Sequence, residues 1–436
     1  MPEITPFPGI RYNPEAIEDF SLVVAPPYDV IDPDQHAELL SRDPFNVVRL
    51  ILGSNPSSPG DYAKEARTMN QWLSDGVLKR DPEPRYYLIE DSFYLPGKKT
   101  AYRRWGIIGR VRLEPLESGR IFPHERTHQG PKEDRLRLMK AFGGNLSQVF
   151  TLFDGDASTV RSVLGPVFNS RPVMDITDRD GIDRRLWVID APDIITTVSG
   201  LLRDRNLYIA DGHHRYETAL TYAKEMEESD PVPDPQNGYN FIMMALVGME
   251  DPGLAILPTH RLLHSFENFD FNNMLDCLSS TFTIDPLDTE SDMDVRSGKP
   301  QTELGGRGFI LYDLDADRFL RALLREDVDL GARMPGISPP VRELEVTLAE
   351  QFLMKECLGM TPEQISHQEH IDYFKDLDQA MVRVKNEGQL LAVMPPTSMA
   401  DLVAVTSVKE RMPQKSTFFY PKLLSGLVFY DHGSGE

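Results

Sequence analysis

The sequence predicts an α+β fold in which mixed sheets carry flanking helices. Apolar runs typical of strands are interspersed with segments of helical period, without the regular βαβ rhythm of a doubly wound sheet. Hydrophobic residues make up 40% and charged residues 26% of the 436-residue chain, which is ordinary for a globular protein with a sizeable core. At roughly 100–200 residues per domain, we expect three parts: an N-terminal α/β subdomain over 1–155, a central subdomain over 156–285, and a C-terminal α/β subdomain over 286–436 that closes on the site.

The N-terminal third is rich in proline and contains a rigid extended segment. Two prolines interrupt the apolar run 25–31, and proline fixes φ and biases the residue before it towards extended geometry. Further along, composition and periodicity predict a loop over 54–60, a helix over 61–75, and strands over 85–90 and 105–113.

The remaining two thirds are read from the same signals. A strand over 207–210 leads through an Asp-Gly turn into a helix whose apolar face carries Ala219, Leu220, Ala223 and Met226. The other predicted elements, in chain order, are an acidic loop over 228–236, a strand over 241–247, a loop or subdomain edge over 286–306, a helix over 341–358, an apolar run over 416–429 interrupted by Pro421, and a disordered tail over 431–436.

Charge, hydropathy and cysteine content limit the partners. Lys and Arg number 46 and Asp and Glu 68, a net charge of −22, and such a field repels phosphate backbones, so we expect no nucleic-acid partner. There is no apolar run of about 18 residues and no signal-peptide pattern, so we expect a cytoplasmic protein with no membrane partner. Cys277 and Cys357 are far apart in sequence, which favours two buried thiols over a disulfide. Whether the chain forms a homo-oligomer is left open by the sequence.

The segment Asp211-Gly212-His213-His214-Arg215 is the strongest candidate for a functional site. A strand ends, a glycine lets the chain turn and a helix begins, which leaves unpaired N–H groups at the positive end of the helix dipole. Such a helix start binds phosphate, and Arg215 adds a bidentate cation. The histidines and Asp211 are candidate phosphate donors, proton carriers or metal ligands. The alternative is that Asp211 caps the helix and the histidines bond to buried polar groups.

A second group of functional side chains lies within 122–135. Glu125 is suited to act as a general base. The cations of this segment are candidate anion ligands: Arg126, Lys132 and Arg135. The stretch from His124 to His128 matches the zinc pattern His-Glu-x-x-His, but a proline before it and a Gly-Pro pair after it argue against the stable helix that a zinc site needs. A charged, solvent-exposed loop is the alternative.

The third candidate segment is 411–422. Lys415-Ser416-Thr417 are similar to the end of a phosphate-binding P-loop, but the upstream glycines of that motif are missing, so the segment is not a Walker A sequence. Lys422 adds a second cation nearby. A polar turn leading into a C-terminal edge strand is the alternative interpretation.

Four separated motifs carry a family resemblance, which runs from near residue 5 to about residue 430 in the same order. They are 25–30 (Ala-Pro-Pro-Tyr-Asp-Val), 123–127 (Pro-His-Glu-Arg-Thr), 210–219 (Ala-Asp-Gly-His-His-Arg-Tyr-Glu-Thr-Ala) and 413–422 (Pro-Gln-Lys-Ser-Thr-Phe-Phe-Tyr-Pro-Lys). On these motifs the chain resembles an uncharacterised prokaryotic family catalogued as domain of unknown function 1015. The Asp-Gly-His-His-Arg element also resembles the nucleotide-gripping loop of the ParB and sulfiredoxin superfamily, which includes kinases of free L-serine.

The second resemblance implies a ParB/sulfiredoxin-like nucleotide-binding core with additional α/β subdomains. It also implies a phosphate-binding role for the 212–215 loop and a carboxylate base upstream, for which Glu125 is the positional match. The expected catalytic residues are Glu125, His214 and Asp211, with Asp211 also binding the metal. Expected nucleotide ligands are Gly212, His213, Arg215, Lys415, Ser416, Thr417 and Lys422, and expected substrate ligands are Tyr28, Asp29, His124, Thr127 and Arg135.

These residues predict a phosphotransferase that moves a phosphoryl group from a nucleotide to the hydroxyl of a small metabolite, with free serine or an analogue first. ATP or ADP with Mg2+ is the expected cofactor set. One alternative is a nucleotide-binding regulatory module without catalysis, which needs the same loop but no base. The other alternative is a metal-dependent hydrolase that uses His124 and His128.

Overall fold

The computed structural model describes residues 2–54, 62–95, 98–127, 129–296 and 305–433. Strands and helices are mixed along the chain, and the strands form mixed and antiparallel sheets. The prediction of an α+β fold with mixed sheets and flanking helices is therefore confirmed.

The strands are numbered in chain order. They are β1 Ile4–Thr5, β2 Ile10–Tyr12, β3 Leu78–Arg80, β4 Tyr86–Tyr94, β5 Ala101–Arg112, β6 Ile121–Pro123, β7 Gly144–Asn145, β8 Val149–Phe153, β9 Met174–Thr177, β10 Asp183–Ile189, β11 Leu207–Asp211, β12 Phe241–Gly248, β13 Ala255–Leu257, β14 His260–Leu263, β15 Phe282–Pro286, β16 Gly308–Asp313, β17 Arg318–Leu324, β18 Ile371–Phe374, β19 Leu390–Val393, β20 Phe418–Tyr420 and β21 Tyr430–Asp431.

The α-helices are numbered in the same way. They are α1 Pro33–Arg42, α2 Val48–Ile51, α3 Ala63–Ser74, α4 Gln129–Phe142, α5 Ala157–Val163, α6 Gly165–Phe168, α7 Pro192–Leu202, α8 His213–Ser229, α9 Phe271–Ser279, α10 Thr289–Arg296, α11 Leu330–Arg333, α12 Pro339–Arg342, α13 Glu345–Leu348, α14 Pro362–Ser366, α15 Leu377–Glu387 and α16 Met399–Ser407. Short 3-10 helices cover Phe20–Leu22, Tyr28–Val30, Leu116–Ser118 and Gly238–Asn240, and a π-helix covers Ala349–Cys357.

The larger sheet has nine strands in the order β6-β11-β8-β12-β5-β4-β10-β9, with β1 beside β5. The pairs β6/β11 and β8/β12 are parallel and the others are antiparallel. The central strand β12 is buried along its whole length, because packing layers cover both of its faces, and it accordingly reads as one continuous apolar run. This sheet positions the site, since two of its parallel strands end beside each other.

The smaller sheet has six antiparallel strands in the order β15-β17-β16-β19-β14-β18. One buried apolar cluster contains side chains of both sheets, among them Phe150 and Ala245 of the larger sheet and Phe309 and Leu390 of the smaller. β20, which lies within the segment 413–422, pairs with β13 in a two-stranded ribbon. The C-terminal part of the chain therefore reaches the site through shared packing.

Cys277 of α9 and Cys357 of the π-helix form a disulfide, with their Cα atoms 5.7 Å apart. The prediction of two separate thiols is therefore wrong. The two cysteines are 80 residues apart in sequence, but tertiary packing brings their elements together. Phe282, just after α9, meets Phe352 of the π-helix edge-on with the ring centroids 5.9 Å apart.

Three further predictions of local structure need correction. The continuous helix predicted over 341–358 is divided into α12, α13 and the π-helix. Leu344, which is buried, takes an extended backbone (ψ 136°) and so separates α12 from α13. Part of the loop predicted over 286–306 is α10, while 297–304 lies outside the described residues. The predicted disordered tail begins as a strand, since Asp431 pairs with Gly144. Most of the loop predicted over 54–60 lies outside the described residues.

The division into three subdomains stays a prediction. The larger sheet contains strands from both sides of the boundary at 155/156, and the smaller sheet contains strands from both sides of the boundary at 285/286.

Among the described residues, no helix combines the length and the apolar character that crossing a membrane requires.

Candidate functional site

Two neighbouring parallel strands bring the first two carboxylates of the site together. β6 runs parallel to β11, with Pro123 opposite Ile209. Glu125 follows β6 after one intervening residue, and Asp211 is the last residue of β11. Because the carboxyl ends of parallel strands meet at the same edge of a sheet, both acidic side chains line one cavity.

Gly212 makes the turn from β11 into α8. Its φ is 91°, and no side chain caps the helix that begins after it. A Cβ atom added at this position would lie 2.8–2.9 Å from the guanidinium of Arg215. The position thus requires glycine both for its backbone conformation and for the close approach of Arg215. The start of α8 is consequently open to the cavity.

Asp211 is held between two cations. The Arg215 Nη2 group donates to Asp211 Oδ2 at 2.7 Å, and Lys422 Nζ donates to Asp211 Oδ1. Burial alone would raise the pKa of Asp211, but its attraction to Lys422 and Arg215 outweighs burial and holds this pKa below its usual range. Arg215 also donates to the carbonyl of Gln148, while its buried Nε has no hydrogen-bond partner among the described residues.

The ring of His213, which lines the cavity, meets the ring of His124 edge to face, with centroids 4.6 Å apart. Burial lowers the pKa of both rings, and for His213 the neighbouring His124 lowers it further. Both are therefore neutral near pH 7. The backbone N–H of His124 donates to Nε2 of His213 at 3.3 Å. A neutral imidazole ring carries one N–H proton, and because Nε2 accepts, this proton is on Nδ1. His213 is therefore a neutral hydrogen-bond donor through Nδ1.

His124 holds two separate parts of the site together. Its Nδ1 lies 2.7 Å from the carbonyl oxygen of Ile209, which can only accept, so Nδ1 carries the proton. Its Nε2 lies 2.8 Å from the hydroxyl of Thr417, which donates to it. His124 is fully buried and both ring nitrogens are bonded. It therefore joins β11 to the segment 413–422, and it does not line the cavity.

Glu125 anchors the same C-terminal segment. Its Oε1 accepts from the backbone N–H of Ser416 at 3.1 Å and from that of Thr417 at 3.2 Å. The turn that presents these amides follows Lys415, whose φ of 56° is left-handed. Within the part of the chain that the structure describes, no hydrogen bond reaches Oε2 of Glu125. One oxygen of this carboxylate therefore fixes the turn, and the other is available to a ligand.

The cavity formed by these elements has a volume of about 280 Å³. Four cationic side chains line it, against three carboxylates, in a chain of net charge −22. The cavity thus concentrates positive charge where the rest of the molecule is acidic. Its lining residues are Tyr28, Asp29, Val30, Glu125, Arg126, Ala210, Asp211, Gly212, His213, His214, Arg215, Gln368, Gln414, Lys415, Thr417, Phe418 and Lys422.

Most of the expected catalytic, nucleotide-binding and substrate-binding residues line this one cavity, but four do not. His124 lies beneath it, and Ser416 is buried with its hydroxyl donating to the carbonyl of Pro413 at 2.6 Å. Thr127 donates to Glu217 of α8 at 2.6 Å, outside the cavity. Arg135 lies behind Tyr28, with its guanidinium 4.0 Å above the ring. These four residues position the site in this structure and do not face its cavity.

Arg135 explains how Tyr28 is fixed. Besides stacking on that ring, Arg135 donates to the carbonyl of Ile51 and to the hydroxyl of Tyr62. Burial raises the pKa of Tyr28 to about 12, so its hydroxyl stays protonated and can donate to a ligand. The 3-10 helix that carries Tyr28 and Asp29 follows the rigid proline segment.

Arg126, a candidate anion ligand from the sequence, lines the cavity, whereas Gln368, Gln414 and Phe418 also line it and were not assigned from the sequence. Gln414 and Phe418 lie inside the motif 413–422, so their position beside Lys415 was the available signal. Gln368 follows α14, and nothing in its local sequence marks it.

The residues present do not fit the predicted metal roles. Both oxygens of Asp211 already accept hydrogen bonds from cations, and the positive charges of Arg215 and Lys422 repel a divalent cation from this carboxylate. Both nitrogens of His124 are occupied, and His128 lies outside the described residues, so the zinc hypothesis gains no support. Among the described residues, no three His, Cys, Asp or Glu side chains converge as a metal site.

The fold and the site together define an α+β protein with a cation-rich cavity at a strand–helix junction. The chain belongs to the family described as protein of unknown function (DUF1015), which matches residues 4–347. The predicted membership is thereby confirmed. No curated protein matches the sequence.

Several solved structures are similar to this chain at low identity. A conserved hypothetical protein from Pyrococcus furiosus is 13% identical, with 76% of this chain and 95% of the other covered and a TM-score of 0.35. A free serine kinase in complex with AMP is 11% identical, with coverage of 75% and 90% and a TM-score of 0.34. SbnI with a C-terminal truncation from Staphylococcus aureus is 10% identical, with coverage of 72% and 85% and a TM-score of 0.33.

Proposed function

We propose that this protein is a kinase that transfers a phosphoryl group from ATP or ADP to the hydroxyl of a small metabolite, with free serine or an analogue as the first candidate. The observation that carries the proposal is the convergence of an uncapped helix start, four cations and a carboxylate with one available oxygen on a single cavity. A cytoplasmic location, where these nucleotides are available, belongs to the same proposal.

Phosphoryl transfer depends mainly on positioning and on neutralising the charge that spreads over the phosphate oxygens. Arg215 and Lys422 meet at Asp211, and Lys415, in the same segment 413–422 as Lys422, lines the same cavity. In the proposed complex the phosphates lie between these cations and the start of α8. His213 adds a neutral donor, and its burial keeps it neutral.

Glu125 is the proposed general base. Its Oε1 is fixed by two backbone N–H groups, so Oε2 has a defined position at the cavity. Oε2 takes the proton of the acceptor hydroxyl while the hydroxyl oxygen of the acceptor bonds to the terminal phosphorus of the nucleotide. The bond between this phosphorus and the leaving phosphate oxygen breaks in the same step. Tyr28 and Asp29 are proposed to contact the acceptor. We assign no described residue to Mg2+, which usually binds through substrate phosphates in such sites.

The test is a phosphate-transfer assay with ATP and with ADP across the hydroxyl amino acids. Glu125→Gln keeps an oxygen that accepts from Ser416 and Thr417, so we expect nucleotide binding to persist while turnover falls by about 10²–10⁴. Arg215→Ala and His214→Ala should lower turnover without unfolding the chain. Unchanged turnover in Glu125→Gln would contradict the assigned base.

A nucleotide-binding regulatory module is the second candidate, because Glu125 also has a purely structural task in holding the segment 413–422. This candidate predicts nucleotide binding without a phosphorylated product from any acceptor. Binding that alters the thermal stability of the protein, with no transfer in the assay above, would favour it.

A further inference from the structure

A second cavity adjoins the site. Its volume is about 400 Å³, and it shares Val30, Phe418 and Lys422 with the site cavity. We call it the neighbouring cavity. Its other lining residues are Pro26, Asp32, Asp34, Gln35, Glu38, Arg179, Asp180, Ile182, Arg184, Lys375, Tyr420, Pro421 and Leu424. Lys422, whose ammonium group bonds to Asp211, thus lies on the border between the two spaces.

Volume limits where the nucleoside of a bound nucleotide can lie. Cavities that enclose ligands of this size have volumes of about 300–1,000 Å³. In the proposed complex, the phosphates and the acceptor occupy the site cavity of about 280 Å³. Another space adjoins it through Arg126 and Gln414 but measures only about 190 Å³. Of these two spaces formed by the described residues, the neighbouring cavity is the one with the volume that a nucleoside requires.

The lining of the neighbouring cavity also fits a nucleoside better than a phosphate. Part of the lining is apolar and aromatic, with Ile182, Phe418, Tyr420 and Leu424, which is the surface that a base requires. The lining also carries four carboxylates, from Asp32, Asp34, Glu38 and Asp180. Carboxylates accept hydrogen bonds from sugar hydroxyls and repel phosphate.

The arginines of the neighbouring cavity do not reverse this preference. Arg184 makes ion pairs of 2.9 Å with both Asp91 and Asp178. Arg179 pairs with Glu38 at 3.1 Å. Carboxylates therefore pair with both arginines. With Lys375 and Lys422 included, the four cations of the neighbouring cavity are balanced by its four carboxylates, whereas the four cations of the site cavity face three carboxylates. The charge pattern therefore orients a nucleotide, with its phosphates towards Asp211 and its nucleoside away from it.

We propose that the neighbouring cavity is the nucleoside subsite, and that the phosphate chain passes Lys422 into the site cavity. This inference rests on the proposed function. It adds the orientation of the nucleotide and assigns a binding role to the start of α1 and to the hairpin of β9 and β10, which line the neighbouring cavity.

The test compares ADP with pyrophosphate, which has the phosphates but no nucleoside. Gln35→Trp places a large side chain into the neighbouring cavity from the half-buried face of α1. We expect ADP affinity to fall by about tenfold or more, and pyrophosphate affinity to stay within about twofold of the wild type. Tyr420→Ala, which removes part of the aromatic wall, should also weaken ADP selectively, and it replaces Gln35→Trp if that variant does not fold.

The matched control is Val328→Trp, which fills a separate cavity of about 410 Å³ bordered by Arg325 and Glu343. It should leave both affinities unchanged. If both site variants bind ADP as the wild type does, or lose ADP and pyrophosphate equally, the nucleoside subsite is refuted. If wild-type protein binds neither ligand, the proposed function itself fails, and the two failures are thereby distinguished.

Discussion

Replacing Gly212 with alanine tests the central geometry of the site. The glycine has a φ of 91°, and an added Cβ would lie 2.8 Å from Arg215 Nε and 2.9 Å from its Cζ. The guanidinium would have to move, and with it the 2.7 Å ion pair to Asp211 and the hydrogen bond to the carbonyl of Gln148. Gly212→Ala should therefore displace Arg215 without removing it.

Two separate effects follow from this substitution. The left-handed backbone of a non-glycine residue costs roughly 1–2 kcal/mol, so the free energy of unfolding should fall by about that amount. Losing the contact of Arg215 with a phosphate, a hydrogen bond to a charged group, costs about 1.5–3 kcal/mol. Pyrophosphate affinity should accordingly fall by about 10- to 150-fold.

Gly76→Ala is the matched control. Gly76 has a φ of 74°, but an added Cβ would meet no atom within 4 Å. Urea unfolding should show similar destabilisation in both variants, whereas calorimetric titration with pyrophosphate should show weaker binding only for Gly212→Ala. Equal pyrophosphate affinity in the two variants would refute the role given to Arg215.

Three further predictions concern charge, pH and the disulfide. Lys415→Ala should weaken pyrophosphate binding by about tenfold and reduce the salt dependence of that binding. The control is Lys409→Ala, because Lys409 has a comparable φ of 58° but lies outside the cavity, and it should leave pyrophosphate affinity unchanged. Burial, and then the neighbouring His124, lowers the pKa of His213 in the folded chain, so the unfolded chain binds a proton at this ring more readily than the folded chain does. The free energy of unfolding should therefore fall as the pH drops below about 6.5. His213→Gln should flatten this slope by up to about 1.4 kcal/mol per pH unit, and an unchanged slope in urea unfolding at pH 5–7 would contradict the buried neutral ring. Cys277→Ser should lower the unfolding free energy by about 4 kcal/mol, since the disulfide closes an 80-residue separation, and unfolding that is unaffected by the substitution would contradict the bond.

Local signals predicted the part of the site that is local in sequence. An apolar strand followed by Asp-Gly and a helical period places 211–215 at a helix start, and β11 and α8 have those bounds within one or two residues. The left-handed φ of Gly212 is the conformation that such a turn demands of glycine.

The long-range assembly of the site could not be derived from spacing. Glu125 meets Ser416 and Thr417 across about 291 residues of chain, through hydrogen bonds that depend on the parallel pairing of β6 with β11. The chemistry of the side chains and the family resemblance, and not periodicity, pointed to those residues. Gln368 carried no signal because its place in the cavity depends on how α14 packs.

Dependence on long-range packing also explains the wrong predictions. Cysteine spacing does not determine connectivity, and the bond between Cys277 and Cys357 depends on the packing of α9 against the π-helix. The helical period over 341–358 correctly predicted which residues form the apolar face. The period carries no information about the extended backbone at Leu344, which interrupts the helix.

The most direct measurement is a crystal structure of the protein with ADP bound. The account predicts phosphate oxygens within hydrogen-bonding distance of Arg215 and the start of α8, close to Lys415, with Oε2 of Glu125 facing the terminal phosphate. ADP phosphates bound elsewhere, with the cavity at 211–215 left to solvent, would contradict it.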